Sequence, residues 1–157
     1  MIRLTCRFLA LLVVFNVLVV DVDATTNFTI SGTLLCPHRF DYYILLVEKD
    51  SVTGDDIFND SQSPGHTPGK SSSFKSTGTL FSDVLFGNDE YEVAVQIVHN
   101  CCDPLKPYRN LEVFVGNFKN EDVHYKKDIG SVQIHNQGEP TTAPIGKRRR
   151  PRNQKKL

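Results

Sequence analysis

The chain has 157 residues, 39% of them hydrophobic, with 18 Lys/Arg balanced by 18 Asp/Glu. That length suits one domain with a core of its own, which removes the need for a dense disulfide framework. The zero net charge hides a split: residues 25–146 carry 9 basic and 16 acidic side chains, whereas residues 147–157 carry 7 basic and no acidic ones, so an acidic domain precedes a basic tail.

Residues 1–24 are expected to be a secretory signal peptide. Arg3 and Arg7 give a basic start, and residues 8–20 are apolar except for Asn16. Val22-Asp23-Ala24 then offers small or aliphatic residues at the positions a signal peptidase reads, with cleavage after Ala24. The apolar run of 13 falls short of the roughly 20 residues that span a bilayer. No later segment is apolar enough to do so, and a secreted, extracellular protein without a transmembrane segment is the expectation. Cys6 departs with the leader. Cys36, Cys101 and Cys102 remain, and in an oxidising compartment the simplest count is one disulfide and one further thiol.

Period-two alternation then recurs along the chain. Residues 28–36 place Phe28, Ile30, Gly32, Leu34 and Cys36 on one face. Gly32 inside this strand predicts a bulge or a close backbone approach. Residues 42–49 (YYILLVEK) are apolar on both faces for most of their length and read as a central strand. Residues 51–73 form a long polar connection holding Pro64, Gly65, Pro68 and Gly69, with a short edge strand near residues 56–58. Residues 73–86 are expected to form one or two short strands around a turn at Gly78.

The next strand, residues 91–98, aligns Tyr91, Val93, Val95 and Ile97 and runs into His99-Asn100-Cys101-Cys102. Residues 109–116 align Leu111, Val113 and Val115, with Phe114 opposite. Residues 128–135 point Val132 and Ile134 one way and Ser131 and Gln133 the other. No segment shows apolar spacing of helical period with caps. Residues 138–157 are Pro-rich and charged and are expected to be disordered. An all-β, immunoglobulin-like sandwich of seven to eight strands over residues 25–137 follows from these short strands and their turn signals.

Four segments resemble one family in order and spacing. Ser31-Gly32-Thr33-Leu34-Leu35-Cys36 is similar to a first-strand Gly-x-Leu-x-Cys pattern. Ser73-Phe74 with Gly78-Thr79 resembles a middle Gly-x-Phe … Gly-Thr piece. Val98-His99-Asn100-Cys101, followed by Asp103, Lys106-Pro107 and Arg109, resembles a His-Asp-Cys … Lys-Pro-Cys segment, and Asp128-Ile129-Gly130-Ser131-Val132 a closing Asp-Ile-Gly strand. Together they resemble the nematode transthyretin-like family of secreted proteins. The resemblance implies a transthyretin-like β-sandwich in extracellular fluid or on a cell surface, with roles suggested in surface recognition or the carriage of small apolar ligands. The chain departs from the pattern at Tyr108, where the family has a cysteine, at Cys102, which it gains, at Pro37-His38-Arg39, which replaces a Gly-Lys-Pro turn, and in the length of the 51–73 loop.

On this footing Cys36 pairs with Cys101, and Cys102 is the rival partner because adjacent strand residues face opposite ways. Catalysis is not expected. The histidines at 38, 66, 99, 124 and 135 sit mostly in loops or at strand ends without a paired nucleophile, and the Tyr-Arg-Gly-Ser ending of transthyretin-like hydrolases is missing. Neither a cofactor nor a metal is expected, since adjacent cysteines chelate one ion poorly and disulfide chemistry has the stronger claim in a secreted chain. Asn27-Phe28-Thr29 and Asn59-Asp60-Ser61 are glycosylation sequons, with Asn59 favoured by its loop position.

Lys147, Arg148, Arg149 and Arg150 form either a processing site or a patch for polyanions. The leader argues against nucleic acid as the partner. A secreted binding or adaptor protein is the expected function, its partner an extracellular protein, an anionic surface or a small apolar ligand. The carrier and the processed precursor are the alternatives, and nothing in the sequence fixes an oligomeric state.

Overall fold

The computed structural model describes residues 24–49, 54–60, 64–81, 90–103 and 108–142. Its elements are β1 (Thr25–Leu35), β2 (Phe40–Glu48), β3 (Asp56–Ile57), β4 (Gly65–Thr67), β5 (Ser71–Phe81), β6 (Glu90–His99), β7 (Arg109–Lys119), β8 (His124–Gln133) and β9 (Glu139–Pro140). The described residues hold no helix, so the fold is all-β. A three-stranded sheet runs β5-β1-β8, and a second sheet runs β3-β2-β6-β7-β9 with β4 also on β2. β1 is antiparallel to β5 and parallel to β8.

The alternation read from the sequence is what builds the core. Phe28, Ile30 and Leu34 of β1 meet Phe40, Tyr42, Ile44 and Leu46 of β2 and Tyr91, Val93, Val95 and Ile97 of β6 in one buried cluster. At one end Phe28 is ringed by Phe58, Tyr91, Phe118 and Tyr125, with ring centroids 5.4, 6.4, 5.3 and 5.7 Å away. Edge-to-face and offset ring pairs of this kind add to the burial of apolar area. Tyr43, Leu45, Val47 and Val98 form a second buried cluster on the other side of β2 and β6. β2 is therefore buried on both faces, which explains its unbroken apolar run.

Bulges adjust the strands where the alternation changes phase. Ile129-Gly130 of β8 lies opposite the single residue Gly32 of β1, between the pairs Ser31↔Asp128 and Thr33↔Ser131. Gly130 takes a φ of +70° there, and a Cβ on Gly32 would come within 2.8 Å of Ile129 Cγ1. In β7 the register shifts opposite Val93/Ala94. Leu111, Val113 and Val115 pack inward before that shift and Phe118 after it, while Phe114 is 62% exposed.

Four expectations change. The described residues form nine strands rather than seven or eight, three of them only two or three residues long. Gly78 is not at a turn but in the middle of β5, paired with Phe28. A side chain there would strike the Phe58 carbonyl oxygen, 2.3 Å from an added Cβ, so glycine marks a close crossing. The 51–73 connection contributes β4 as well as β3. Ordered chain continues past 137, because β9 pairs Pro140 with Arg109 and Glu139 with Asn110.

The crossing at Gly78 stitches the two sheets along one side. Asn59 makes an isolated antiparallel bridge to Gly78, and Asp60 N–H donates to the Thr77 carbonyl at 2.9 Å. The Asn59 side chain accepts from Leu46 N–H at 2.5 Å and donates to the Ile44 carbonyl at 3.3 Å and to Ser76 Oγ at 2.7 Å. It thus supplies partners to the β2 backbone in the gap between β3 and β4, where strand pairing stops.

Candidate functional site

Three chain segments meet at the end of the sandwich away from the Phe28 cluster: residues 36–39 after β1, 100–103 after β6 and 134–138 after β8. Backbone bonds hold them together. Ile134 N–H donates to the Leu35 carbonyl at 3.1 Å, Asn136 N–H to the Cys101 carbonyl at 3.0 Å, and Cys36 N–H to the Lys70 carbonyl at 2.9 Å. Asn136, in a left-handed conformation that asparagine tolerates, accepts from Asp103 N–H through Oδ1 at 3.3 Å.

Cys36 and Cys101 form a disulfide that closes a sequence separation of 65, and both are buried. Cys102 is a buried thiol outside that bond, its Sγ 3.5 Å from the Asn100 carbonyl oxygen. Asn100 faces away to β2, where its Oδ1 accepts from Asp41 N–H at 2.7 Å. One ligating atom each from Cys36, His38 and Cys101 lies within 4.8 Å of the others. The His38 and His135 rings stand edge to face at 5.4 Å. The sequence reading did not bring His38 to the cysteines; its signal was the Cys36-x-His38 spacing.

His99 is fully buried. Its Nδ1 accepts from Cys101 N–H at 3.2 Å, which leaves the proton of the neutral ring on Nε2. Burial, chiefly, pushes its pKa down to about 4; the Gln137 backbone opposes the shift and the charge of Arg109 adds to it. Arg109 pairs with His99 across β6 and β7 and donates through Nη1 to the Gly138 carbonyl, fastening the last described segment to the sheet.

The outward face of the three-stranded sheet is the other candidate surface. Its cross-strand rows read Thr79–Asn27–His124, Thr77–Thr29–Lys126, Lys75–Ser31–Asp128 and Ser73–Thr33–Ser131. Hydrogen bonds tie neighbours together: Thr79 to Asn27 at 2.9 Å, Thr29 to His124 at 2.8 Å, Thr33 to Ser73 at 3.1 Å. Asn27 therefore lies on an outer, polar face, and the bond to Thr79 uses its carbonyl oxygen. Asn59, favoured from the sequence as the glycan site, is half-buried with its amide nitrogen in two hydrogen bonds. The basic cluster Lys147–Arg150 and residues 1–23 of the expected leader lie outside the described residues, and no described helix is long and apolar enough to cross a membrane.

No family model matches the chain, and no curated protein matches it. Among solved structures it is similar to a crystal structure of a 9R-lipoxygenase from Cyanothece PCC8801, at 14% identity and a TM-score of 0.32, over 71% of this chain and 16% of that one. A likeness of that size carries no argument about function.

Proposed function

We propose that this is a secreted, non-catalytic binding and adaptor protein of the transthyretin-like kind, acting in extracellular fluid or at a cell surface. The observation that carries the reading is the contrast between the two faces of the β5-β1-β8 sheet. The inner face is packed with Phe28, Ile30, Leu34 and Phe74, while the outer face presents hydroxyl, amide and charged groups in rows. A core filled in this way favours contacts made from outside over carriage of an apolar ligand within.

Other features support the reading. The Cys36–Cys101 disulfide fits an oxidising compartment and agrees with the leader-like start. Several histidines are engaged structurally: His66 with Asp41, His124 with Thr29, His99 with the Cys101 backbone. Of the four motifs that resemble the transthyretin-like family, the described residues fall on β1, on β5, on β6 and residues 100–103 with Arg109 on β7, and on β8, while Lys106 and Pro107 lie outside the described residues. The seven basic residues at 147–157 would hold an anionic surface reversibly, at roughly 1 kcal/mol per basic residue near such a membrane.

Sedimentation of the secreted full chain with vesicles tests this. Binding to vesicles containing phosphatidylserine is expected, weaker at high salt and weaker again when residues 147–157 are deleted. Equal binding to neutral vesicles, or no loss on deletion, would contradict it.

A further inference from the structure

The cysteine–histidine end of the sandwich has more ligating groups than a disulfide needs. Cys36, His38 and Cys101 already hold their ligating atoms within 4.8 Å of one another, and His135 stands against His38. From the structure we infer that, once the Cys36–Cys101 bond is reduced, this end is a metal site: the two thiolates and His38, joined by His135, take a thiophilic divalent cation of the zinc type. The disulfide and the metal are then alternative clasps for the same three segments.

The chemistry balances with a dithiol as the reductant. It gives two electrons and two protons to the Cys36–Cys101 bond and becomes a cyclic disulfide, leaving two protein thiols. Metal binding then releases both thiol protons, since thiolate is the ligating form. Two sulfurs and two imidazole nitrogens make the tetrahedral Cys₂His₂ set that suits zinc. With metal–ligand bonds of about 2.0–2.3 Å, tetrahedral ligands sit roughly 3.3–3.8 Å apart. The three named atoms need small side-chain rotations to reach that spacing.

Two features favour the site over an accident of packing. The segments are held by backbone bonds that do not involve sulfur, Ile134 to Leu35 and Asn136 to Cys101, so the ligands stay together after reduction. His38 is exposed while both cysteines are buried, which gives an ion a route in from solvent and a thiolate pair shielded from it. Cys102 is not a ligand of this set. It follows Cys101 directly, and its Sγ is turned to the Asn100 carbonyl oxygen.

Cobalt(II), a spectroscopic stand-in for zinc, tests the inference on the full mature chain reduced by a dithiol and then freed of reductant without air. Circular dichroism first establishes that the sheets persist. The reduced protein is expected to show thiolate-to-cobalt charge transfer and the visible bands of a tetrahedral ion, and zinc should displace both. The oxidised protein should show neither. His38→Ala should weaken binding by at least about tenfold, the low end of what even an outer-shell change costs, and Cys102→Ser should leave the spectrum unchanged. His38 is exposed, so the His38→Ala chain keeps its fold. A reduced, folded protein without thiolate charge transfer, a His38→Ala chain that binds as tightly, or loss of the spectrum in Cys102→Ser would each overturn the inference. So would loss of the sheets on reduction.

Discussion

Replacing Asn59 by Ala should loosen the seam between the two sheets. The side chain serves Leu46 N–H, the Ile44 carbonyl and Ser76 Oγ, and all three residues are buried. An intramolecular hydrogen bond contributes about 1 kcal/mol net, and a buried group left unpartnered costs about 1–3 kcal/mol. Three such losses, partly relieved by water entering beside β2, give a destabilisation of roughly 3 kcal/mol. With a urea slope of about 2 kcal/mol per molar for a domain of this size, the midpoint should fall by about 1.5 M at unchanged slope. Asn27→Ala is the control. It removes one bond on an outer face and should move stability by no more than about 0.5–1 kcal/mol. If Asn59→Ala unfolds at the wild-type midpoint, or no earlier than Asn27→Ala, then Asn59 does not fasten the sheets and its description here is wrong.

Further predictions follow from the same geometry. Glycan mapping of the secreted protein should find Asn27 occupied and Asn59 bare, because a sugar on the Asn59 nitrogen cannot coexist with both of its donated bonds; the opposite pattern would refute this. Exchanging Cys36 and Cys101 together for Ser should cost about 4 kcal/mol in denaturant, the loop-entropy value for a closed loop of that length; an unchanged midpoint would contradict it. For the oxidised protein, His99 sets an acid limit. Its folded pKa of about 4 lies below its ordinary value of 6.5, so the unfolded chain binds the extra proton. The stability this represents is fully present above about pH 6.5 and is lost as pH falls toward 4, by about 3 kcal/mol in all. Wild type minus His99→Gln should show that slope, and a ring titrating near 6.5 in the native protein would exclude it. Phe28→Ala empties the centre of four aromatic contacts and should cost about 3–5 kcal/mol, read by thermal or urea unfolding.

Strands buried on one or both faces were legible because their side chains alternate or run apolar without a break. β2 and β6 are of this kind, and their core residues fall where the pattern puts them. β8 starts at His124, earlier than the sequence suggested, because that half of the strand is largely solvent-exposed and has no alternation to read. β4 and β9 are two or three residues long, and their pairing with β2 and β7 is decided by long-range contacts rather than local sequence. Gly78 misled for a physical reason: glycine marks both turns and close crossings, and only the approach of Phe58 separates the two. The cysteine pairing followed from motif and strand position, but His38 and His135 reach that end through loops, which no periodicity describes.

The central claim is that this sandwich works outside the cell with its basic tail attached. The intact mass of the protein recovered from the medium of cells expressing the whole chain tests it most directly. The account predicts a polypeptide that begins at Thr25, has lost two hydrogens to the Cys36–Cys101 bond, bears a glycan at Asn27 and still ends at Leu157. A protein kept inside the cell with residues 1–24 attached would contradict secretion, and a secreted form ending near Ile145 would make the chain a precursor rather than an adaptor.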